Sequence, residues 1–478
     1  MPFALPFGDL LDEHEIARFE VRSPNVRKRI YTSFVTLKAF LSQVVGRAGS
    51  CQEAVNGVHL ESINALNESC SLNTSSYSRA RNRLNLNAVR ELTKEIHQGL
   101  SENVDESWLW KKKKVGILDG STVAMADTAE NVAAFPKRRN LKPHAGYPIA
   151  RVMLASSLET GSVIDFDMAP YKGKCTGEIP LGAGLLKSFE PGSVLLADAM
   201  FVSYSFIGLC KLQQLDFLAP KKSNRKFTVV DEKKIGVGDR LICVRKPCLP
   251  HTGWISQEKY DTIDNTIWLR ETEIRFRRNG FRTKKFKILS TFLDAEKYST
   301  SDLTELSLNR WNIELDLRII KRELGVNFLA CKTPEMVKKE IWVNLLAFNL
   351  IRKLINKVSK KGGVLPRQIS FKNTLDYYLK SYQNQCFKLV KMPSHIANSI
   401  LKFRLRKQID RFEPRARKSQ KGSNDFPTLS IPRSRWKLLQ LMPDLNDLLV
   451  DLEFSSDFID GLEKVKKQIP IANGKARF

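Results

Sequence analysis

The chain has 478 residues, enough for several domains, and its 42% hydrophobic content suits a folded globular protein rather than a disordered one. Lys plus Arg total 78 against 51 Asp plus Glu, and the net charge of +27 points to a polyanionic partner, nucleic acid before an anionic membrane surface. No apolar run approaches the roughly 20 residues of a spanning helix, and the early acidic turn of "MPFALPFGDLLDEHEIARF" argues against a secretory signal.

Residues 1–110 read as a helical N-terminal region. The apolar spacing of "RIYTSFVTLKAFLSQVV" (29–45) and "SYSRARNRLNLNAVRELTKEIHQGL" (76–100) predicts one helix in each. The second carries Arg79, Arg81 and Arg83 near its start, either a solvated surface or a row of phosphate contacts. After "KKKK" (111–114) the texture changes, and "VGILDGSTVAM" reads as a short strand ending at Asp119 and Gly120. "RVMLASSL" and "SVIDFDMAP" flank "ETG" (159–161) as a hairpin. "GEIPLGAGLLKSF" predicts a helix and "GSVLLAD" a buried strand ending at Asp198. "SYSFIGLCKLQQL" predicts a helix and "DFLAP" a strand. Residues 111–220 therefore read as a mixed α/β sheet with both aspartates at strand ends, the edge where open α/β sheets place their sites.

Residues 221–290 predict strand after strand, an all-β insertion that ends by returning to the sheet. It is basic, with eight Lys/Arg and two Glu between Arg270 and Lys287. Helices resume over 291–365. Thr333, Pro334 and Glu335 are the N-cap, first position and first-turn acid of one that closes at "GG" (362–363). Residues 366–478 read as a helical and basic end, including "KFRLRKQIDRFEPRARKSQKG" (402–422).

The stretch "RWNIELDLRIIKREL" (310–324) raises the functional question. With Arg310 at 0° on a helical wheel, Glu314 falls near 40° and Lys321 near 20°. Ile313, Leu317, Ile320 and Leu324 border this charged wedge on one side, and Trp311, Leu315 and Ile319 on the other. Asp316 and Glu323 are the positions expected to face open water. The plain reading is a surface Arg–Glu–Lys ladder worth a few tenths of a kcal/mol. The sharper one is a carboxylate at the rim of a packed surface, where it wants a strong partner.

Asp119, Asp198 and Glu314 can meet if this helix crosses the sheet. Two carboxylates about 4 Å apart repel by roughly 4 kcal/mol at an effective dielectric of 20, and the oxygen-seeking Mg²⁺ or Mn²⁺ relieves that repulsion. Two such ions clamp the attacking and leaving oxygens of a phosphodiester, with Arg310 and Lys321 placed for flanking phosphates. The residues thus point to a metal-dependent nucleic-acid enzyme, with a non-enzymatic DNA-binding protein as the alternative. The eight scattered Cys and six His form no zinc-like or HxxxH grouping, so a reduced cytosolic protein is expected.

Taken in order, "SYSRARNRL", "LDGSTV", "GYPIARV", "GE" before a helix, "GSVLLADAMFVSY", "RWNIELDLRIIKREL" and "KTPEMVKKEIWVNLLAFNLIR" resemble the IS-four family of DDE transposases of bacterial insertion sequences, which includes the Tn-five transposase. The resemblance spans nearly the whole chain. It implies an RNase H-like core interrupted by a β-rich insertion, with Asp119, Asp198 and Glu314 as a triad holding two Mg²⁺ or Mn²⁺ ions. It implies cut-and-paste transposition: cleavage at terminal inverted repeats, then strand transfer into target DNA. A homodimer paired through the C-terminal helices, acting on double-stranded DNA in the bacterial cytoplasm at the nucleoid, also follows from it. Arg310, Glu314 and Lys321 match the family signature of Tyr, Arg, Glu and Lys, but its Tyr position is Ser307, and Ala199 stands after Asp198 where relatives often carry Arg. Arg79 and Arg83 become candidate contacts to the DNA end, and Trp254 and Trp268 candidates to stack a flipped base, against a plain β-core role. A catalytically silent DNA-binding protein and a related RNase H-like nuclease are the alternatives.

Overall fold

The computed structural model describes residues 5–24, 30–46, 49–66, 70–137, 146–248, 253–276, 284–383 and 394–405. Most of the basic segment 402–422 and the rest of the C-terminal region expected to pair two copies lie outside these residues.

Among the described residues the N-terminal region contains five α-helices: α1 (Glu13–Arg22), α2 (Ser33–Val45), α3 (Cys51–Leu66), α4 (Thr74–Arg83) and α5 (Leu86–Glu102). A reciprocal capping box between Asp12 and Glu15 starts α1. The single helix read over 76–100 is two. Leu84 leaves the helical conformation and is buried, and the Asn85 side chain then accepts from the backbone of Asn87 and Ala88 to begin α5. An asparagine cap inside an apolar-spaced run is a local signal that helical periodicity hides.

The sheet begins with β1 (Val115–Met125), β2 (Ile149–Ser157) and β3 (Val163–Pro170), which pair antiparallel, with the short α6 (Ala129–Ala134) between the first two. After α7 (Glu178–Leu185) comes β4 (Val194–Leu196). After α8 (Tyr204–Leu212) comes β5 (Asp216–Lys221). Both lie parallel to β1, giving the order β3-β2-β1-β4-β5, which is an RNase H-like core.

The insertion supplies β6 (Val229–Gly236), β7 (Asp239–Arg245), β8 (Thr266–Phe276) and β9 (Lys284–Ser290), with one short helix, α9 (Gln257–Asp261), among them. These strands continue the core sheet, because β9 pairs antiparallel with β5 and the order runs on β9-β8-β7-β6. Then follow α10 (Thr300–Leu308), α11 (Trp311–Arg322), the two-residue β10 (Phe328–Leu329), α12 (Pro334–Gly362), α13 (Phe371–Gln383) and α14 (Ser394–Lys402). Thr333 caps α12, and Gly363 ends it in the left-handed conformation that glycine adopts without strain.

Strand alternation divides the core. Val115, Ile117, Val123 and Met125 of β1 face α12 and the N-terminal helices, with Leu37, Phe40 and Leu92 in the same cluster. Leu118 and Leu195 face the other way, with α7 and α8. The long α12 is held by more than apolar packing. Its fully buried Asn349 accepts from Val163 N–H at 2.7 Å and donates to Val163 O at 2.9 Å and Thr93 O at 3.0 Å, tying helix, sheet and α5 together. Among the described residues no helix is long and apolar enough to cross a membrane.

Candidate active site

One edge of β1 pairs with β2 along nearly its whole length. Its other edge is interrupted. It pairs with β4 only through Ile117↔Leu196 and with β10 only from Ala124↔Phe328 onward. Between those contacts lies a notch about 20 Å long at the usual strand rise. Asp119 sits in the middle of β1, not at its end as the sequence suggested; the strand that ends is its neighbour. Asp119 and Asp198 each lie two residues beyond the last β1–β4 pair, and Asp198 caps the turn after β4, accepting from Ala199 N–H at 2.7 Å. Asp119 accepts from Gly120 N–H at 2.9 Å.

Glu314 enters from the first turn of α11 and lines the same cleft as Asp119, an opening of about 420 Å³ that Gly120, Ser121, Lys321 and Asn327 also line. Arg310, immediately before α11, reaches Glu314 at 3.2 Å. Burial pushes the Asp119 carboxyl up to about 6. The Gly120 N–H and Arg310 pull it down, while Glu314 and Asp198 push it further up. The charges of all three acids are therefore felt at one point, although Asp198 stands beside the cleft rather than in its lining. Burial also lowers the Lys321 ammonium from its ordinary value.

The rest of α11 departs from the sequence reading. Ile313, Ile320 and Leu324 are buried as the wheel suggested, but on the opposite border Trp311 is 61% and Leu315 45% exposed, and only Ile319 packs partly against the core. Asp316, expected to face water, is fully buried. It accepts from Arg367 at 2.8 and 3.1 Å, from Arg352 at 3.0 Å and from Ser156 Oγ at 3.1 Å. Glu323 is partly buried and pairs with Lys372 at 3.3 Å.

Of the other sequence candidates, Arg79 and Arg83 are exposed on α4. Arg81 between them turns inward over the rings of Phe40 and Tyr77 and donates to Gln43 at 3.0 Å. Trp254 packs half-buried against the second core cluster, whereas Trp268 stands 38% exposed on β8. Ser307 and Ala199 are both buried. Sequence reasoning missed Ser121 and Asn327. Ser121 follows Asp119 by one strand period and was available to it; Asn327 carries no such signal.

The donor set fits a divalent cation in kind: hard carboxylate oxygens, with Asp119 raised chiefly by burial and to a smaller extent by the neighbouring acids. Among the described residues, however, no three His, Cys, Asp or Glu side chains are drawn into a finished metal-binding group, and Glu314 spends its oxygen on Arg310.

A sheet of this kind, notched beside Asp119 with a glutamate helix over the gap, suits phosphodiester chemistry. Residues 110–350 match the family described as Transposase DDE domain, and the chain belongs to that family. It is a DNA transposase, which cleaves and transfers strands with divalent metal ions as that family does. The chain is 26% identical over 376 residues to the transposase InsG for insertion sequence element IS4 of Escherichia coli (strain K12), covering 76% of this chain and 79% of that one. Among solved structures it is similar to a piggyBac transposase synaptic complex with hairpin DNA, at 10% identity, a TM-score of 0.37, and 82% and 86% coverage of the two chains.

Proposed function

We propose that Asp119, Asp198 and Glu314 hold two divalent cations, Mg²⁺ or Mn²⁺, and that this site cuts transposon ends and joins them to target DNA by a cut-and-paste route. The observation that supports the reading is the β1–β4 pairing, which stops two residues short of both Asp119 and Asp198, beside a cleft lined by Asp119 and Glu314. Bound there, the cations lower the cost of charge building up on the attacking and leaving oxygens. The protein supplies the placement. Lys321, in the cleft, and Arg310, beside Glu314, take non-bridging phosphate oxygens on either side of the scissile bond. In the first step a water oxygen bonds to phosphorus, the bond to the 3′-oxygen breaks, and that oxygen leaves as the 3′-hydroxyl. In the second, this hydroxyl attacks a target phosphorus and displaces another 3′-oxygen. Both steps are displacements at phosphorus, so one cleft serves them.

Residues 1–110, with Arg79 and Arg83 outermost, bind the terminal inverted repeat. Residues 111–220 and 291–365 form the catalytic core, and the insertion 221–290 offers Trp268 and the half-buried Trp254 as candidates for a displaced base. Residues 366–478 pair two copies in a synaptic complex, since two DNA ends must be joined, and the protein works at the bacterial nucleoid. The test is cleavage of a labelled transposon end by Glu314→Gln. Cutting is lost while end binding is nearly unchanged. Cutting at the wild-type rate removes Glu314 from the site, and wild-type cutting without joining reduces the protein to a nuclease.

A further inference from the structure

The helix that carries Glu314 has apolar residues on two opposite sides. Ile313 and Ile320 are buried, while Trp311 and Leu315 stand in solvent. A roll of about half a turn exchanges the two sets. Apolar burial favours the observed roll, since Leu324 is buried beside the two Ile and Leu317 packs partly against the same core, but the alternative would hide Trp311 and Leu315 in exchange and offset much of that preference.

Asp316 selects it. The side chains that meet Asp316 are fixed to the rest of the molecule without α11. Arg367 donates to the carbonyls of Ser157 and Leu158 at the end of β2, each at 2.7 Å. Arg352 is buried on α12, its guanidinium against the rings of Phe348 and Phe371 and over Gly161 in the β2–β3 turn, where a Cβ would stand 2.9 Å from it. Two cations thus wait behind the helix in a position where burial demands a counter-charge. Only one roll brings Asp316 to them, with both carboxylate oxygens occupied and Ser156 Oγ added. Glu314, about 200° round the same helix from Asp316, then faces the cleft.

We infer that Asp316, seated between Arg352 and Arg367, is the positioning residue that sets the roll of α11 and so aims Glu314 at the cleft. This rests on the proposed role of Glu314.

Two full-length variants test it. Asp316→Ala combined with Arg352→Met and Arg367→Met removes all three charges together, so that no unpaired charge is left buried, and gives position 316 no side chain large enough to hold the roll by packing. Asp316→Asn keeps the shape and drops the charge. Each is measured for its thermal midpoint, binding to a transposon end, single-turnover cleavage with Mn²⁺, and Trp311 emission taken as the difference from the same variant carrying Trp311→Phe. The triple variant stays folded, with a melting point lowered by the carbonyl contacts that Arg367 gave up, and binds ends normally. Its cleavage falls by about 100-fold, the size of an ångström-scale misplacement of a reacting group, and its Trp311 emission moves to the blue as the ring leaves water. Asp316→Asn loses cleavage in the same direction with binding kept. Either variant, folded, cutting at the wild-type rate with Trp311 emission unchanged overturns the inference. Glu314→Gln in the wild-type background separates the two ideas. If it is inactive and the triple variant cuts, only the roll assignment fails; if it cuts, the catalytic reading fails first.

Discussion

Asn349→Ala is expected to be among the most damaging single substitutions remote from the cleft. Val163, at the start of β3, gives both its N–H and its carbonyl to this one side chain, and Thr93 gives its carbonyl as well. Alanine leaves the two Val163 groups buried and unpaired, at about 1–3 kcal/mol each. Thr93 lies inside α5, where the helix ladder still serves its carbonyl. The expected loss is about 3–5 kcal/mol, a large share of the roughly 5–15 kcal/mol that folded proteins possess. Urea unfolding followed by circular dichroism reads it as a lower midpoint at constant slope. Asn349→Asp sharpens the test. One oxygen still accepts from Val163 N–H, but the other faces two carbonyl oxygens, so at neutral pH it is at least as damaging as alanine. Acidification then narrows the gap, because a protonated carboxyl donates where the amide did. A loss under about 1 kcal/mol for alanine, well below the usual cost of two orphaned groups, refutes the reasoning that this residue joins α12, β3 and α5.

Two further outcomes concern charge. Burial pushes the Glu271 carboxyl up, but Lys221, Lys287 and Arg240 outweigh it and hold the group down at about 2, against an ordinary 4.5. The stability it gives is complete above pH 4.5 and drains away as pH falls toward 2. Discounted for the half-exposed Lys287 and Arg240, it is about 1–2 kcal/mol, so Glu271→Gln flattens the acid limb of a stability–pH curve; an unaltered acid limb argues against it. Arg79→Gln with Arg83→Gln leaves the melting temperature alone and weakens end binding, with a log–log salt slope shallower by about 2. An unchanged slope removes α4 from the DNA path.

Much of the core was legible because its punctuation is local. The hairpin at "ETG" and the Thr333–Pro334 start and Gly363 end of α12 fall where the sequence sets them. The parts that were not legible depend on distant residues. Nothing near Asp119 says that β1 runs six residues past it, since that length is set by β2 and β10 pairing along its edges. The wheel of α11 found the charged wedge but misjudged which side meets solvent, because the partners of Asp316 lie 36 and 51 residues further along the chain. The Asn85 break was available locally and was masked by the regular apolar spacing around it.

The pairing of β9 with β5 means that the insertion is not an ornament that can be trimmed. A shortened chain that joins residue 221 directly to 291 strips β5 of its neighbour and leaves a row of bare amides and carbonyls, a template for gluing one molecule to the next. Miniaturised versions of this protein would therefore need a replacement border strand, or charged residues along β5, before they remained in solution.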